Sequence, residues 1–254
     1  MSPDRVLASA ADRVLTVTLN RADKRNAMDA AMVAGLRAAI ADADARSDVS
    51  VVALRGAGKD FCAGADLQEL LDAVDLAPEA LERHAMQLGD VFVAMRRLPK
   101  PVVAVVEGRA LAGGCGLATA CDLIVAHERA EFGYPEIRRG FVPAMVMAML
   151  VRAVGEKVAF DLMATGRILS AHEAAALGLV SRVFPETGFA DAVGELLRAL
   201  AGSSGSALAL IKTQLYELDG RDFTEAIALG ARVNAAARMT PDFRRAVESF
   251  LEKR

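Results

Sequence analysis

Two apolar runs in this chain each lead into a turn built largely of glycine, alanine and cysteine, and each turn opens onto a helical pattern. Val51-Val52-Ala53-Leu54 precedes Phe61-Cys62-Ala63-Gly64-Ala65-Asp66-Leu67. Val102-Val103-Ala104-Val105-Val106 precedes Ala110-Leu111-Ala112-Gly113-Gly114-Cys115-Gly116-Leu117. Apolar runs rich in valine suit strands. Strand, small-residue turn and helix, used twice, point to an α/β fold. A helix N-terminus carries unpaired N–H groups and partial positive charge. Small side chains let a ligand oxygen come close to those donors. Two such termini aimed at one point would form an oxyanion hole, which stabilises charge developing on a carbonyl oxygen.

The rest of the chain fits around these units. Residues 5–19 read as two short strands about an Ala10-Ala11-Asp12 turn, and 29–45 have helical spacing with Met32, Val33, Leu36 and Ile40 on one face. Strands are expected at 49–54 and 101–106, helix over 67–98 with a break near Pro78, and a short helix after Gly116 leading to Asp122. A strand follows at 123–126, and 49–67 and 101–117 are the clearest copies of a strand-strand-helix unit. Ser170-Ala171-His172-Glu173 is a capping box, 179–184 reads as a strand, and four helices follow from about 187. The last has Thr240 as N-cap and Pro241 at its first position. The expected organisation is a mixed core over 1–190 and a helical region over 191–254, available for packing against another subunit.

Composition excludes several classes. A formal charge of −3 over 254 residues argues against nucleic acid as partner. Cys62, Cys115 and Cys121 offer neither a disulfide framework nor a paired metal-binding spacing, and His84, His127 and His172 are scattered, so no metal site is expected. The apolar run at 142–151 is too short for a membrane, and Met1-Ser2-Pro3-Asp4-Arg5 begins no apolar leader, so the expected location is the cytoplasm. A Gly-x-Ser-x-Gly nucleophile elbow is absent. A dinucleotide fingerprint fails because Thr119 stands where its third glycine belongs. The glycines at 113–116 therefore serve either an anion-binding turn or close helix–strand packing alone.

Glu136 lies in the polar break Phe132-Gly133-Tyr134-Pro135-Glu136-Ile137. By itself it reads as a solvated carboxylate at a helix start. Beside an oxyanion hole it becomes a candidate base for removing a proton next to a thioester carbonyl. Phe132, Tyr134, Phe141 and Val142 are candidate apolar walls that would raise its pKa. The loop Asn20-Arg21-Ala22-Asp23-Lys24-Arg25-Asn26-Ala27 is either a solvated turn or a cationic rim for a phosphate-bearing ligand.

These residues, with Lys100-Pro101-Val102-Val103-Ala104, Cys121-Asp122, Gly140-Phe141-Val142-Pro143 and the segment 166–180, give the chain its resemblance to the crotonase family, the enoyl-CoA hydratase/isomerase superfamily. Motif order and spacing agree over nearly the whole length. The resemblance implies a spiral of ββα units with a helical trimerisation region, assembled as a homotrimer or a dimer of trimers. It implies an acyl-CoA substrate, with coenzyme A entering as part of the substrate and no separate cofactor. It places the oxyanion donors at the N–H groups of Ala65 and Gly113 and the base at Glu136. It makes Lys24, Arg25, Ala27, Ala63, Gly64, Ala65, Asp66, Leu67, Gly113 and Gly114 contacts for the substrate. Two-carboxylate hydratases of the family carry a further Glu where this chain has Gly116. Double-bond migration needs one base and water addition needs more, so an isomerase is the expectation. The alternatives are a hydratase that activates water with Asp66, Glu69 or Asp72, and an inactive acyl-CoA-binding scaffold.

Overall fold

The structure is a computed structural model that describes residues 4–252. Met1–Pro3, part of the segment expected to lack a leader, lie outside the described residues, as do Lys253 and Arg254. Strands β1 (Val6–Ala11) and β2 (Val14–Leu19) form an antiparallel hairpin. Its tip is Asp12-Arg13, both with positive φ (50° and 65°), the conformation that matches a two-residue turn to strand twist. The turn thus lies slightly beyond the expected 10–12.

Helix α1 (Ala30–Ala45) follows, capped by Asp29, whose Oδ1 accepts the Met32 N–H at 2.9 Å. Such a cap contributes about 1 kcal/mol. Next come β3 (Val51–Gly56), α2 (Leu67–Asp72) and α3 (Pro78–Arg97), the last with proline in its first turn. After β4 (Val102–Val106), β5 (Arg109–Leu111) turns directly into α4 (Gly113–Thr119). β6 (Leu123–His127) and β7 (Glu131–Gly133) lead to a 3-10 turn at Pro135–Arg139 and then α5 (Ala144–Thr165), which kinks at Gly155. The remaining elements are β8 (Ile168–Ser170), α6 (Ala171–Ala176), β9 (Arg182–Phe184), α7 (Phe189–Gly202), α8 (Gly205–Glu217), α9 (Phe223–Arg238) and α10 (Pro241–Glu252).

The main sheet has the order β1-β2-β3-β4-β6-β9, parallel from β2 onward. A smaller sheet, β5-β7-β8, is extended by the single parallel bridges Cys62↔Ala110 and Met28↔Ala65. Each main strand from β2 to β6 is therefore followed by a short segment in a second layer and then by helical chain. Repetition of that step makes the spiral.

Both faces of the main sheet are covered, as a parallel sheet requires. Leu15, Val17, Val52, Leu54, Ala104 and Ile124 face one core with α1, α3 and α4. Val14, Val51, Ala53, Val103 and Val125 face α7 through Phe189, Val193 and Leu196. The boundary read at residue 190 falls just inside α7. Helix α8 is fastened to the sheet by Lys212, whose buried ammonium donates to Met95 O (2.8 Å), Lys100 O (3.0 Å) and Asp122 Oδ2 (2.7 Å). Tyr216 donates to the other Asp122 oxygen at 2.6 Å.

Candidate active site

The bridge Met28↔Ala65 determines where the first small-residue turn points. Met28 N–H donates to Gly64 O (2.8 Å), and Asp66 N–H donates to Met28 O (2.9 Å). In a parallel bridge of this pattern the N–H of the paired residue, here Ala65, faces the other way. Gly64 has φ +107°, and a Cβ there would lie 2.9 Å from Ala112 Cβ and 3.3 Å from Gly113 N. The two small-residue turns are thus in direct contact, and glycine permits it.

On the second turn, Ala112 has φ 51° and ψ −131°, an unfavourable conformation for a residue with a Cβ, costing about 1–3 kcal/mol. Ala112 N–H is held by Gly133 O at 2.8 Å. The reversal starts α4 at Gly113, earlier than the expected start after Gly116. The first intrahelical bond runs from Gly116 N–H to Ala112 O at 3.0 Å, so the Gly113 amide has no partner within the helix. A Cβ at Gly113 would lie 3.7 Å from Ala65 N, 3.4 Å from Met28 Cε and 3.8 Å from Leu88 Cδ2. The amides of Ala65 and Gly113 are brought together beside Met28 and Leu88. Gly114 is buried against Cys62, its would-be Cβ only 2.7 Å from the Cys62 carbonyl carbon.

Glu136 belongs to the 3-10 turn that follows β7, three residues beyond the Gly133 that fixes Ala112. It is 8% exposed, and its Oε2 is buried without a hydrogen-bond partner among the described residues. Burial pushes its carboxyl above the usual carboxylate range, opposed by its own backbone N–H and by the Arg139 charge. Of the expected apolar walls, Phe132 and Tyr134 are fully buried, with Tyr134 Oη 2.7 Å from Thr119 Oγ1. Phe141 and Val142 are more than half exposed (53% and 57%).

The 24–27 loop runs beside the first turn. Lys24 and Arg25 are exposed, Ala27 is half-buried, and Arg25 O accepts the Ala63 N–H at 3.0 Å. Leu67, at the start of α2, is exposed. Arg21, read as part of the same cationic loop, instead points inward and binds Asp66 at 2.6 Å. The three carboxylates weighed as water activators have other partners. Asp66 holds Arg21 and caps α2, Glu69 accepts the Ala30 N–H at 2.8 Å, and Asp72 accepts from Gln68 at 2.7 Å.

The sequence does not single out Val146 of α5 as the neighbour of Gly116. A Cβ on Gly116 would overlap Val146 Cγ1, would lie 3.0 Å from Val146 Cβ and would touch Phe92. Position 116 is filled from outside its own helix, which no local pattern announces. Asn26, in the 20–27 loop, is fully buried. Its amide donates to Ala57 O (2.9 Å) and Asp60 O (2.8 Å), bracing the approach to the first turn.

Cys62 and Cys115 are buried free thiols whose pKa burial pushes up to about 12, which leaves them unreactive near neutrality. Among the described residues no cluster of His, Cys, Asp and Glu is arranged to hold a metal ion, and no helix is long and apolar enough to cross a membrane.

A family model described as enoyl-CoA hydratase/isomerase matches residues 9–254. A Thermus thermophilus protein named as an enoyl-CoA hydratase is 42% identical over 241 residues, covering 95% of each chain. The rat mitochondrial enoyl-CoA hydratase domain-containing protein 3 is 31% identical over 245 residues, covering 96% of this chain and 80% of its own. Among solved structures, an enoyl-CoA hydratase from Mycobacterium smegmatis superposes with TM-score 0.93 at 35% identity, covering 98% of this chain and 97% of its own. The human enoyl-CoA hydratase domain-containing protein 3 superposes with TM-score 0.91 at 29% identity, covering 98% of each. A spiral of sheet and helix shared at this level, matched by a family model running almost end to end, makes this chain a member of the enoyl-CoA hydratase/isomerase family.

Proposed function

We propose that this protein moves the double bond of an enoyl-CoA thioester, with Glu136 as the single proton carrier. The observation that carries the reading is the buried Glu136 carboxylate, whose Oε2 has no hydrogen-bond partner among the described residues, tied through Gly133 and Ala112 to the contact between Ala65 and Gly113. The thioester oxygen accepts from the Ala65 and Gly113 amides. Glu136 takes a proton from the α-carbon of a 3-enoyl-CoA, and the electron pair spreads into the carbonyl as an enolate held by those amides. The protonated Glu136 returns the proton to the γ-carbon, giving the conjugated 2-enoyl-CoA. Coenzyme A enters as part of the substrate, with Lys24 and Arg25 available to its phosphates and Ala27, Ala63, Gly64, Asp66, Leu67 and Gly114 shaping the approach. No further cofactor takes part.

The names of the relatives favour a second reading, hydration of a 2-enoyl-CoA. That reaction needs a group to activate water as well as one to protonate carbon, and Asp66, Glu69 and Asp72 are already bound elsewhere. An inactive acyl-CoA-binding scaffold would have no use for a buried carboxylate with an oxygen left unpartnered. Purified enzyme assayed with 3-enoyl- and 2-enoyl-CoA thioesters separates the three readings. Absorbance of the conjugated thioester rises on isomerisation, falls on hydration and stays constant for a scaffold.

We further propose a homotrimer, or two stacked trimers, assembled through α8–α10. The chain exposes 13966 Å², whereas about 10,800 Å² is expected of a compact monomer of this mass. Ile211, Leu215, Phe223, Ile227, Phe250 and Leu251 are exposed on these helices.

A further inference from the structure

Arg21 stands apart from its cationic neighbours Lys24 and Arg25, which are exposed, because its side chain is only 12% exposed. A single guanidinium nitrogen, Nη1, donates to Ala27 O at 3.1 Å and to Asp66 Oδ2 at 2.6 Å. Ala27 immediately precedes Met28, and Asp66 immediately follows Ala65. The guanidinium therefore clips together the two sides of the bridge that aims the Ala65 N–H. Its Nε lies 3.6 Å from Asp29 Oδ2, and that oxygen is also held by Arg5 at 2.7 Å. The Arg21 backbone is fixed as well, its N–H donating to Asn26 Oδ1 at 2.9 Å and its O accepting the Asn26 N–H at 2.9 Å. A residue serving only as a rim for substrate phosphates would not be consumed by three internal partners.

We propose that Arg21 is a positioning residue of the oxyanion site, acting through Ala27 and Asp66 to hold the Ala65 amide in its donating direction. It does not touch the substrate. The role for Ala65 rests on the proposed function, while the clip itself is a property of the free protein. The planar guanidinium sets Nη1 between Ala27 O and Asp66 while Nε faces Asp29, an arrangement that a lysine ammonium reproduces only in part. The Arg21 charge favours the ionised form of Asp66, and its carboxyl sits below the usual range chiefly because of the hydrogen bond from Arg21.

The test compares wild type, Arg21→Met and the milder Arg21→Lys by amide hydrogen exchange, thermal melting and steady-state kinetics. Loosening of the clip should raise exchange at the Met28 and Asp66 amides at least about tenfold in Arg21→Met while the sheet amides of β3 and β4 keep their protection. With enoyl-CoA, kcat should fall roughly ten- to a hundredfold at near-constant KM, as expected for a small misplacement of a catalytic donor. The absorbance shift of a bound conjugated thioester should shrink with it, and Arg21→Lys should fall between the two. Unchanged exchange at Met28 and Asp66 in a folded variant overturns the proposal. So does a rise in KM alone, which would make Arg21 a substrate contact. A loss of protection spread evenly over the chain in both variants also overturns it, by reducing Arg21 to a general stabiliser. If wild type turns over no enoyl-CoA, the functional reading fails, and the exchange comparison still decides the role of Arg21.

Discussion

Val146 fills the space that a side chain on Gly116 would need, with its Cβ 3.0 Å from where the new Cβ would stand. The absence of a second carboxylate at 116 is thus built into the packing of α4 against α5. Gly116→Glu alone should destabilise the protein by about 1–3 kcal/mol, the usual cost of overpacking. Gly116→Glu combined with Val146→Ala should recover stability and gain hydration of 2-enoyl-CoA over wild type. Thermal melts and the fall of conjugated-thioester absorbance check both parts.

Glu136→Gln keeps the shape of the side chain and removes the base. Turnover should drop at least about a hundredfold, with acyl-CoA binding close to wild type. Calorimetric titration with a saturated acyl-CoA beside the activity assay reads the two effects separately.

The same carboxyl sets a pH dependence. On the proposed mechanism its base form takes the proton, so kcat/KM should rise with pH through a midpoint above the usual carboxylate range. For stability, a carboxyl whose folded pKa is raised favours folding while it is neutral, below its unfolded pKa, and loses that contribution as pH climbs through the folded value. Glu136→Gln should therefore melt higher than wild type near neutral pH, and the gap should close in acid. Melting curves across that range give the sign.

Gly113→Pro deletes one amide donor at a first-turn position, where a helix tolerates proline. The expected loss in turnover is roughly a hundredfold or more. Circular dichroism must accompany the assay, because Ala112 before it already holds a costly conformation and a side chain at 113 comes within 3.4 Å of Met28 Cε. A folded and fully active variant would leave Gly113 with packing as its only task.

Light scattering at micromolar concentration should give three or six times the chain mass of 26.8 kDa. Paired Ile211→Glu and Leu215→Glu substitutions on exposed positions of α8 should shift the protein toward monomer.

Long, strongly patterned elements were legible in the sequence. The β4 run, the two parts of the 67–98 helical stretch and the Ser170 capping box all form where the residues indicate. The second layer was not legible, because β5, β7 and β8 have three residues each and Met28↔Ala65 is a lone bridge, too short for alternation to register. Residues 179 and 180 do not extend β9, since their amides turn back to Ala174 O. The early start of α4 was hidden by its glycines, which disfavour helix but are demanded by Cys62 and Val146 pressing on Gly114 and Gly116. At the site, the closeness of the Ala65 and Gly113 turns could be anticipated from the motifs. The inward turn of Arg21 and the filling of position 116 depend on partners 45 and 30 residues away in sequence, Asp66 and Val146, and no local pattern encodes them.

Lys212 fastens α8 to carbonyls and a carboxylate that lie 117, 112 and 90 residues earlier in the chain. Those groups belong to the end of α3, the entry to β4 and the entry to β6. During synthesis they emerge long before their ammonium partner. Until residue 212 clears the ribosome, Asp122 has neither Lys212 nor Tyr216 as a donor. Closing the seam between α3 and the sheet therefore waits for α8. A chain that stops before α8 would leave Met95 O, Lys100 O and Asp122 without that ammonium.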